Sequence, residues 1–395
     1  MEEWKEYKLE ETTDFIAGYA FKSKDFGSYE NKVVKIKDIQ PPFVSIASID
    51  GVNIHEYDIS KLAKYLVYKN DFLLAMTGAT IGKIGRYIYD KPVYLNQRVL
   101  KFMPKVGFDS DFIYYSLISD SFQKFIINHI DSDSAQPNIS ANTIGKYRLY
   151  IPDITIQKKI SHVLKVLDSK IELNRRINDN LEQQAQALFD YYFSADSKYL
   201  SDSEQGVLTN IAVYLNGLAM QKFPPTDSEH SLPVLKIKEL GQGKCDNNSD
   251  RCSSDIDSNY VIDNGNIIFS WSGTLMVDVW CGGKCGLNQH LFKVTPLQNY
   301  PQWFVYYWTI RHLNTFKLIA KDKAVTMGHI KRGDLENAEV IIPNKYSLVE
   351  MNAQIEPLYQ SIINNRLEIA ELETLRDALL PKLMSGELKI NDLNC

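Results

Sequence analysis

The chain is written twice, with a period of about half its length. Val33-Val34-Lys35-Ile36-Lys37-Asp38-Ile39 returns as Val234-Leu235-Lys236-Ile237-Lys238-Glu239-Leu240, and Leu95-Asn96-Gln97-Arg98 returns as Leu287-Asn288-Gln289-His290. In the same order, Leu9–Ala20 (LEETTDFIAGYA) aligns with Leu208–Ala219 (LTNIAVYLNGLA), and Pro137–Pro152 aligns with Gly328–Pro343. One long helical stretch follows each of those final prolines. Solenoid repeats are far shorter than this. The pattern therefore describes a duplicated module, each copy a globular domain followed by a helix. A monomer built this way carries an internal pseudo-two-fold, which suits a partner or ligand that is itself two-fold.

At 395 residues the chain is long enough for two or three domains with cores of their own. No apolar run reaches bilayer length, and the acidic start MEEWKEYKLEE lacks the basic and apolar segments of a secretory signal. The five cysteines all lie in the second half: Cys245, Cys252, Cys281, Cys285 and Cys395. A disulfide framework would not leave the first copy bare, so a reducing cytoplasm is predicted.

The formal net charge of −5 argues at first against a nucleic-acid partner. The local distribution argues the other way. Between Lys61 and Lys105 nine Lys/Arg stand against only Asp71 and Asp90. Between Cys281 and Arg332 eight stand against only Asp322, with His290, His312 and His329 among them. Both stretches fall at corresponding places and surround the repeated Asn-Gln element. Two like-signed stretches in register fit phosphate-facing surfaces better than solvated faces balanced by nearby acids.

The fold class predicted is α+β. Residues 1–152 form a first globular domain, 153–193 a first long helix, 194–206 a polar linker, 207–343 a second domain, and 344–395 a second long helix with a tail. In each domain short β-branched and aromatic runs alternate with turn signals. Asp109–Ile130 has helical spacing of Phe112, Tyr115, Ile118, Phe122 and Phe125, a stripe that reads as core rather than as a base-stacking platform. Its counterpart is Gln302–Ala320.

In the second long helix Ile355, Leu358, Ile362, Asn365, Ile369, Leu372, Arg376, Leu379 and Leu383 alternate three and four residues apart. The equivalent positions of the first are Leu164, Leu167, Ile171, Asn174, Asn178, Leu181, Ala185, Leu188 and Tyr192. This is a coiled-coil seam in both copies, with Asn174 and Asn365 in one phase, and if the two helices pair antiparallel the domains sit at opposite ends of a rod. A buried seam Asn costs stability but penalises slipped registers. Pro357 should kink the second helix or mark its real start.

No catalytic constellation stands out. Thr77–Arg86 resembles a phosphate loop, but Gly78 stands one residue too close to the Gly82-Lys83 pair and Ile84 has no hydroxyl for magnesium. A Gly-rich turn after a strand instead suits close approach to a nucleic-acid backbone. The pair Cys245 and Cys252 is spaced too widely for a regular zinc knuckle, and the first copy has no counterpart, so no metal is assigned. Nor is there an Asn/Asp-Pro-Pro-aromatic motif for gripping an extruded base, or a Rossmann glycine loop. The chain reads as a recogniser. The rival from another class is a pseudo-symmetric coiled-coil adaptor whose ends bind proteins; an enzyme reading comes third.

The order of several short segments resembles the specificity subunit of Type I restriction–modification systems. They are Gln136-Pro137-Asn138-Ile139-Ser140, Ile151-Pro152 followed by Gln157 and Ile160, Leu181–Phe189 (LEQQAQALF) and Leu379–Leu388 (LLPKLMSGEL). The resemblance implies two target-recognition domains, each reading one half of an asymmetric interrupted DNA sequence, and a coiled coil that docks two methyltransferase subunits. Those partners would carry S-adenosylmethionine, and restriction subunits would use ATP and magnesium. This chain would supply the address and the scaffold, with no cofactor of its own. The second copy departs from the pattern at Met327-Gly328-His329, where the first has Gln-Pro-Asn.

Groove and phosphate contacts are expected from amide, hydroxyl and cationic side chains. In the first domain the candidates are Thr77, Gly78, Thr80, Lys83, Arg86, Asn96, Gln97, Arg98, Gln136 and Asn138. In the second they are Ser272, Gly273, Thr274, Asn288, Gln289, His290, Lys323, Thr326, His329 and Lys331. Because the Asn-Gln pair recurs unchanged, it can equally brace the fold, which makes Arg98 and His290 the better specificity candidates.

Overall fold

The computed structural model describes residues 4–130, 137–297, 299–322 and 328–390. The chain divides into two compact units, Met1–Asp168 with Thr374–Cys395, and Ser169–Glu373. Each unit thus owns one recognition domain and a share of both long helices.

In the first unit the strands that matter are β1 (Thr13–Ala17), β2 (Phe26–Val34), β3 (Phe72–Ala75), β4 (Ile84–Arg86), β5 (Val93–Leu95) and β6 (Val99–Pro104). The main sheet runs β1-β6-β3-β4 and then Phe43–Val44 and Ile39–Gln40, with β6 antiparallel to both of its neighbours. A second sheet joins β2 and β5 in parallel, Tyr94 facing Val33. Helices α1 (Ser110–Leu117) and α2 (Asp120–Asn128) follow.

The second unit repeats the plan with β7 (Ala212–Asn216), β8 (Ser231–Leu235), β9 (Ile267–Ser270), β10 (Met276–Val279), β11 (Cys285–Leu287) and β12 (Leu291–Pro296). Its main sheet is β7-β12-β9-β10, and β8 pairs in parallel with β11, Val234 facing Gly286. The repeated Val33 and Val234 runs therefore open on the same parallel strand pair. Val33, Val34, Val234 and Leu235 are fully buried or nearly so.

The aromatic stripe is core, as its spacing predicts: Phe112, Tyr115 and Phe122 are buried and Ile118 and Phe125 pack against them. It is not one helix, however. Ser119 interrupts it, its hydroxyl turning back to the Ser116 carbonyl at 2.6 Å, and α2 starts afresh. The second copy keeps a single helix here, Gln302–Asp322. The two copies share a short sequence at this point, Phe112-Ile113-Tyr114-Tyr115 and Phe304-Val305-Tyr306-Tyr307.

The long helices are α3 (Ile154–Tyr192) and, numbering Gln302–Asp322 as α4, α5 (Lys345–Met384). Asp153 caps the first by accepting from the amides of Thr155 and Ile156, and Asn344 caps the second from Tyr346 and Ser347. Pro357 therefore does not mark the start of α5: the helix begins a full three turns earlier and carries Pro357 on an exposed face. Buried Gln157 ties α3 to the domain, donating to the Pro152 carbonyl and accepting from the Asp109 amide, both at 2.8 Å.

Within the second unit α3 and α5 run antiparallel, Arg175 meeting Glu373 and Asn178 meeting Ile362 further along. The seam differs from its sequence reading in two ways. Leu164, Ile171, Asn174, Ala185, Ile355 and Ile362 are buried, but Leu167, Leu181, Leu188, Leu358, Asn365, Ile369, Leu372 and Leu379 are only half-buried. The apolar stripe is wider than a two-helix seam because each helix also packs on its domain, so Phe189, Met351 and Tyr359 take over burial beside α4. The amides, moreover, do not meet at the matching positions. Asn365 donates to Asn178 at 2.9 Å, one turn beyond Asn174. Asn174 donates instead to Glu368 at 2.7 Å, and its carbonyl oxygen has no partner.

Candidate nucleic-acid interface

Three segments meet at one end of each main sheet. In the first unit the chain leaves β3 at Thr77 and turns at Gly78, whose φ of +73° favours glycine. Pro137–Ile139 lies alongside: the Gly78 amide donates to the Pro137 carbonyl at 3.1 Å, the Ile139 amide to the Met76 carbonyl at 3.0 Å, and Thr77 bridges Asn138. The turn between β5 and β6 closes the platform. There the Val99 amide donates to the Asn96 carbonyl at 2.9 Å, and the Met76 amide to the Arg98 carbonyl at 3.0 Å.

The second unit builds the same platform bond for bond. Gly273, with φ +65°, donates to the Gly328 carbonyl at 3.0 Å, Ile330 donates to the Trp271 carbonyl at 3.1 Å, and Ser272 bridges His329. The Leu291 amide donates to the Asn288 carbonyl at 3.0 Å, and the Trp271 amide to the His290 carbonyl at 3.4 Å. Under both turns a glycine passes so closely that a Cβ at Gly18 or Gly217 would lie 2.2 Å from the carbonyl oxygen of Asn96 or Asn288. That approach explains why the glycine is repeated, as no side chain fits the space.

The platform sorts the sequence candidates. Asn96 and Asn288 serve the turn: Asn288 is 7% exposed and its Oδ1 accepts from the His290 amide at 3.2 Å. Gln97 and Arg98 are exposed at its tip. Lys83 is exposed on the following loop, whereas the Thr80 hydroxyl is buried without a partner. Thr77 is buried and Asn138 half-buried in the bridge. Arg86 is drawn away from the surface. Its guanidinium pairs with Asp111 and lies 4.2 Å from the Tyr114 ring centre, with only 12% of the side chain exposed. Burial pushes the Asp111 carboxyl up, but Lys165 and Arg86 outweigh it and hold the group below its ordinary value.

In the second unit Gly273 and Thr274 are exposed, and Lys331 is exposed just beyond the bridge. Ser272 is buried and its hydroxyl meets His290 Nδ1 at 3.0 Å, while Gln289 Nε2 lies 3.3 Å from His290 Nε2. Gln136, Lys323 and Thr326 lie outside the described residues. Trp271 was passed over in the sequence, yet it organises this tip. Its indole N–H donates to Asn216 at 2.9 Å and its ring sits 6.0 Å from that of His290 and 6.3 Å from that of His329. Its place directly before the Ser-Gly turn was the available signal.

The basic stretches also separate into two kinds. Lys101 is buried on Asp71 and the Leu66 carbonyl, and Arg86 is held as described. Lys61, Lys69, Lys91 and Lys105 have exposed carboxylate partners, which bind them weakly. Lys83 and Arg98 have no ion pair among the described residues, and both stand on the platform. In the second stretch Lys293 turns inward to the Val261 carbonyl, and burial holds its amine below the ordinary value. Of the cysteines, Cys245 and Cys285 meet side chain to side chain, Cys252 packs under Gly286 beside them, and Cys281 joins the main core; among the described residues no three metal-ligating side chains converge.

A family profile for the Type I restriction modification DNA specificity domain matches residues 1–183 and again 201–374, the same two halves that repeat in sequence and in backbone. The chain belongs to this family. Among its relatives, the Type I restriction enzyme MjaIX specificity subunit of Methanocaldococcus jannaschii is 26% identical, with 86% of this chain and 83% of that protein covered. The HindI specificity subunit of Haemophilus influenzae is 24% identical over 98% of this chain and all of that protein. The crystal structure of the Type I S subunit from M. genitalium shares the fold, with a TM-score of 0.60 at 15% identity over 96% of both chains. The tandem specificity domains, their mixed helix and sheet, and the helix between them are thus family features. No described helix is long and apolar enough to cross a membrane.

Proposed function

We propose that this chain is the DNA-reading subunit of a Type I restriction–modification complex, each recognition domain addressing one half of a bipartite, asymmetric target. The observation that carries the reading is a platform built twice from the same backbone hydrogen bonds but with different side chains at its tip. Thr77, Arg98 and Asn138 in one copy correspond to Ser272, His290 and His329 in the other. Identical scaffolds with unlike tips suit two unlike half-sites. Lys83 and Lys331 would serve phosphates, while Gln97, Arg98, Gln289 and His290 would address base edges.

The paired long helices would dock two methyltransferase subunits, and through them restriction subunits. The chemistry would be theirs, with S-adenosylmethionine for methylation and ATP with magnesium for translocation. This chain would be a non-catalytic cytoplasmic subunit. The test is to express it with its methyltransferase and map methylated adenines across the host genome. Substitutions at Arg98 should alter one half of the methylated motif, and substitutions at His290 only the other. A motif that changes in both halves at once, or no sequence-dependent methylation at all, would overturn the reading and favour a protein adaptor.

A further inference from the structure

In the first unit the repeated tyrosine of α1 is fully partnered. The Tyr115 hydroxyl donates to Asp168 at 2.7 Å, and Arg376 donates to the other oxygen of the same carboxylate at 3.0 Å. The two long helices begin at Ile154 and Lys345, an offset of 191 residues. By that offset Asp168 corresponds to Tyr359, and Arg376 corresponds to Ala185. The second unit therefore keeps the tyrosine, as Tyr307, but has lost both the carboxylate and the guanidinium that complete it.

A cavity of about 600 Å³ opens there, between α3, α4 and α5 of the second unit. Tyr307 and Tyr359 are among its lining residues, and their hydroxyls are buried and have no hydrogen-bond partner, in residues only 3% and 1% exposed. Burial pushes both phenols above their ordinary value, so each keeps its proton. Buried unpaired hydroxyls are costly and in native proteins they call for a partner. The rim carries Asp179 and Asp190, both exposed, and Glu182. Arg366, the cation on the lining among the described residues, is already committed to Asp278 at 2.6 Å and Glu182 at 2.8 Å. The site is thus net acidic, with Ile310 and Ile363 adding apolar lining.

We propose that this cavity receives an arginine side chain from a partner protein, replacing from outside the guanidinium that Arg376 supplies within the first unit. The guanidinium N–H groups reach the phenolic oxygens and the rim carboxylates, the aliphatic stem lies along the isoleucines, and carbonyls of the incoming segment accept the phenolic protons. A carboxylate-bearing or phosphate-bearing occupant is opposed by the rim. The inference rests on the scaffold part of the proposed function and names the methyltransferase subunit as the source of the arginine.

The test titrates the methyltransferase subunit against the intact chain and two double variants, Tyr307→Phe with Tyr359→Phe, and Asp179→Asn with Asp190→Asn. The phenylalanine pair should melt no lower than the parent, since it removes only unsatisfied hydroxyls, yet bind the methyltransferase at least fivefold more weakly. The asparagine pair should bind about tenfold more weakly and show less dependence on salt. Unchanged binding by both pairs overturns the inference while leaving the scaffold reading intact. A phenylalanine pair that melts lower also overturns it, by showing that the hydroxyls are satisfied internally. If the parent chain itself fails to bind, the scaffold reading falls and this inference with it.

Discussion

Truncating Arg98 to alanine separates base reading from every other role the platform has. The side chain is exposed and makes no hydrogen bond or ion pair among the described residues, and its fold contact is the carbonyl that accepts from Met76, which alanine keeps. Melting should therefore shift by no more than about 0.5 kcal/mol implies for an ordinary surface change. If the guanidinium grips a base edge with two hydrogen bonds, its loss costs ~1–3 kcal/mol, roughly 5–150-fold, on the target duplex alone. Lys83→Ala is the control, because that side chain is equally exposed and equally unpaired. A phosphate contact there weakens target and scrambled duplexes alike, and lowers the slope of log affinity against log salt by about 0.9. Anisotropy titrations of the methyltransferase-loaded complex, over several salt concentrations and on both duplexes, measure all of this. Equal loss on both duplexes for Arg98→Ala, with a lowered salt slope, would refute base reading and make Arg98 a second phosphate contact.

Arg86→Ala should act on stability rather than on DNA: stripping a partner from Asp111, in a pair 12% and 18% exposed, costs ~2 kcal/mol, or about 4–8 °C in a unit of this size. Differential scanning calorimetry checks it, and a target-specific binding defect without a melting shift would contradict it. Asn365→Leu leaves the Asn178 carbonyl buried and unpaired, a loss of ~1–3 kcal/mol that adding Asn178→Leu should largely recover. Strict additivity of the two in a double-mutant cycle would show that the amides are not coupled. Burial holds the His312 imidazole below its ordinary 6.5, with Nε2 donating to the Glu339 carbonyl at 2.7 Å. The unfolded chain then takes up the proton first, so stability is whole above 6.5 and is lost as pH falls from there through the lowered folded value. His312→Gln should flatten melting temperature against pH across that window, and an unchanged slope would remove His312 as the source.

Much of the architecture was legible because it is written in local patterns. The Val33 and Val234 runs, the Asn-Gln turns and the seam periodicity each follow from neighbours a few residues apart, and the repeat doubled every such signal. The duplicated specificity domains and the helix between them follow directly. What could not be read was the partner of each long side chain. Arg86 and Lys101 counted as surface charge until Asp111 and Asp71 came across from other elements. The seam misled for a related reason: Leu181 and Leu188 have perfect spacing, but burial was decided by a third helix that the spacing does not mention. Asn174 and Asn365 shared a phase, yet a shift of one turn in the pairing gave Asn365 to Asn178.

The platform shows why the two copies can diverge at their tips without diverging in fold. Every bond that zips Gly78 to Pro137, Ile139 to Met76 and Val99 to Asn96 is a backbone bond, and its counterpart in the second copy is the same bond between different residues. The Arg98 side chain is therefore spared from holding the turn together. The closely approached glycines, which have no room for a side chain, are among the residues the copies share, as is the turn asparagine, whose Oδ1 in the second copy accepts from the His290 amide. The second copy has used the freedom differently. Ser272 and Gln289 restrain His290 and the tilted Trp271 ring lies beside it, so its tip is the more pre-ordered of the two, whereas Arg98 stands unrestrained. A restrained imidazole loses less side-chain entropy on binding than a free guanidinium, but both of its ring nitrogens already have partners in Ser272 and Gln289, where arginine offers an open fork. Under the proposed DNA reading, the two tips should accordingly differ in how they discriminate, the first by bidentate grip and the second by shape around a fixed ring.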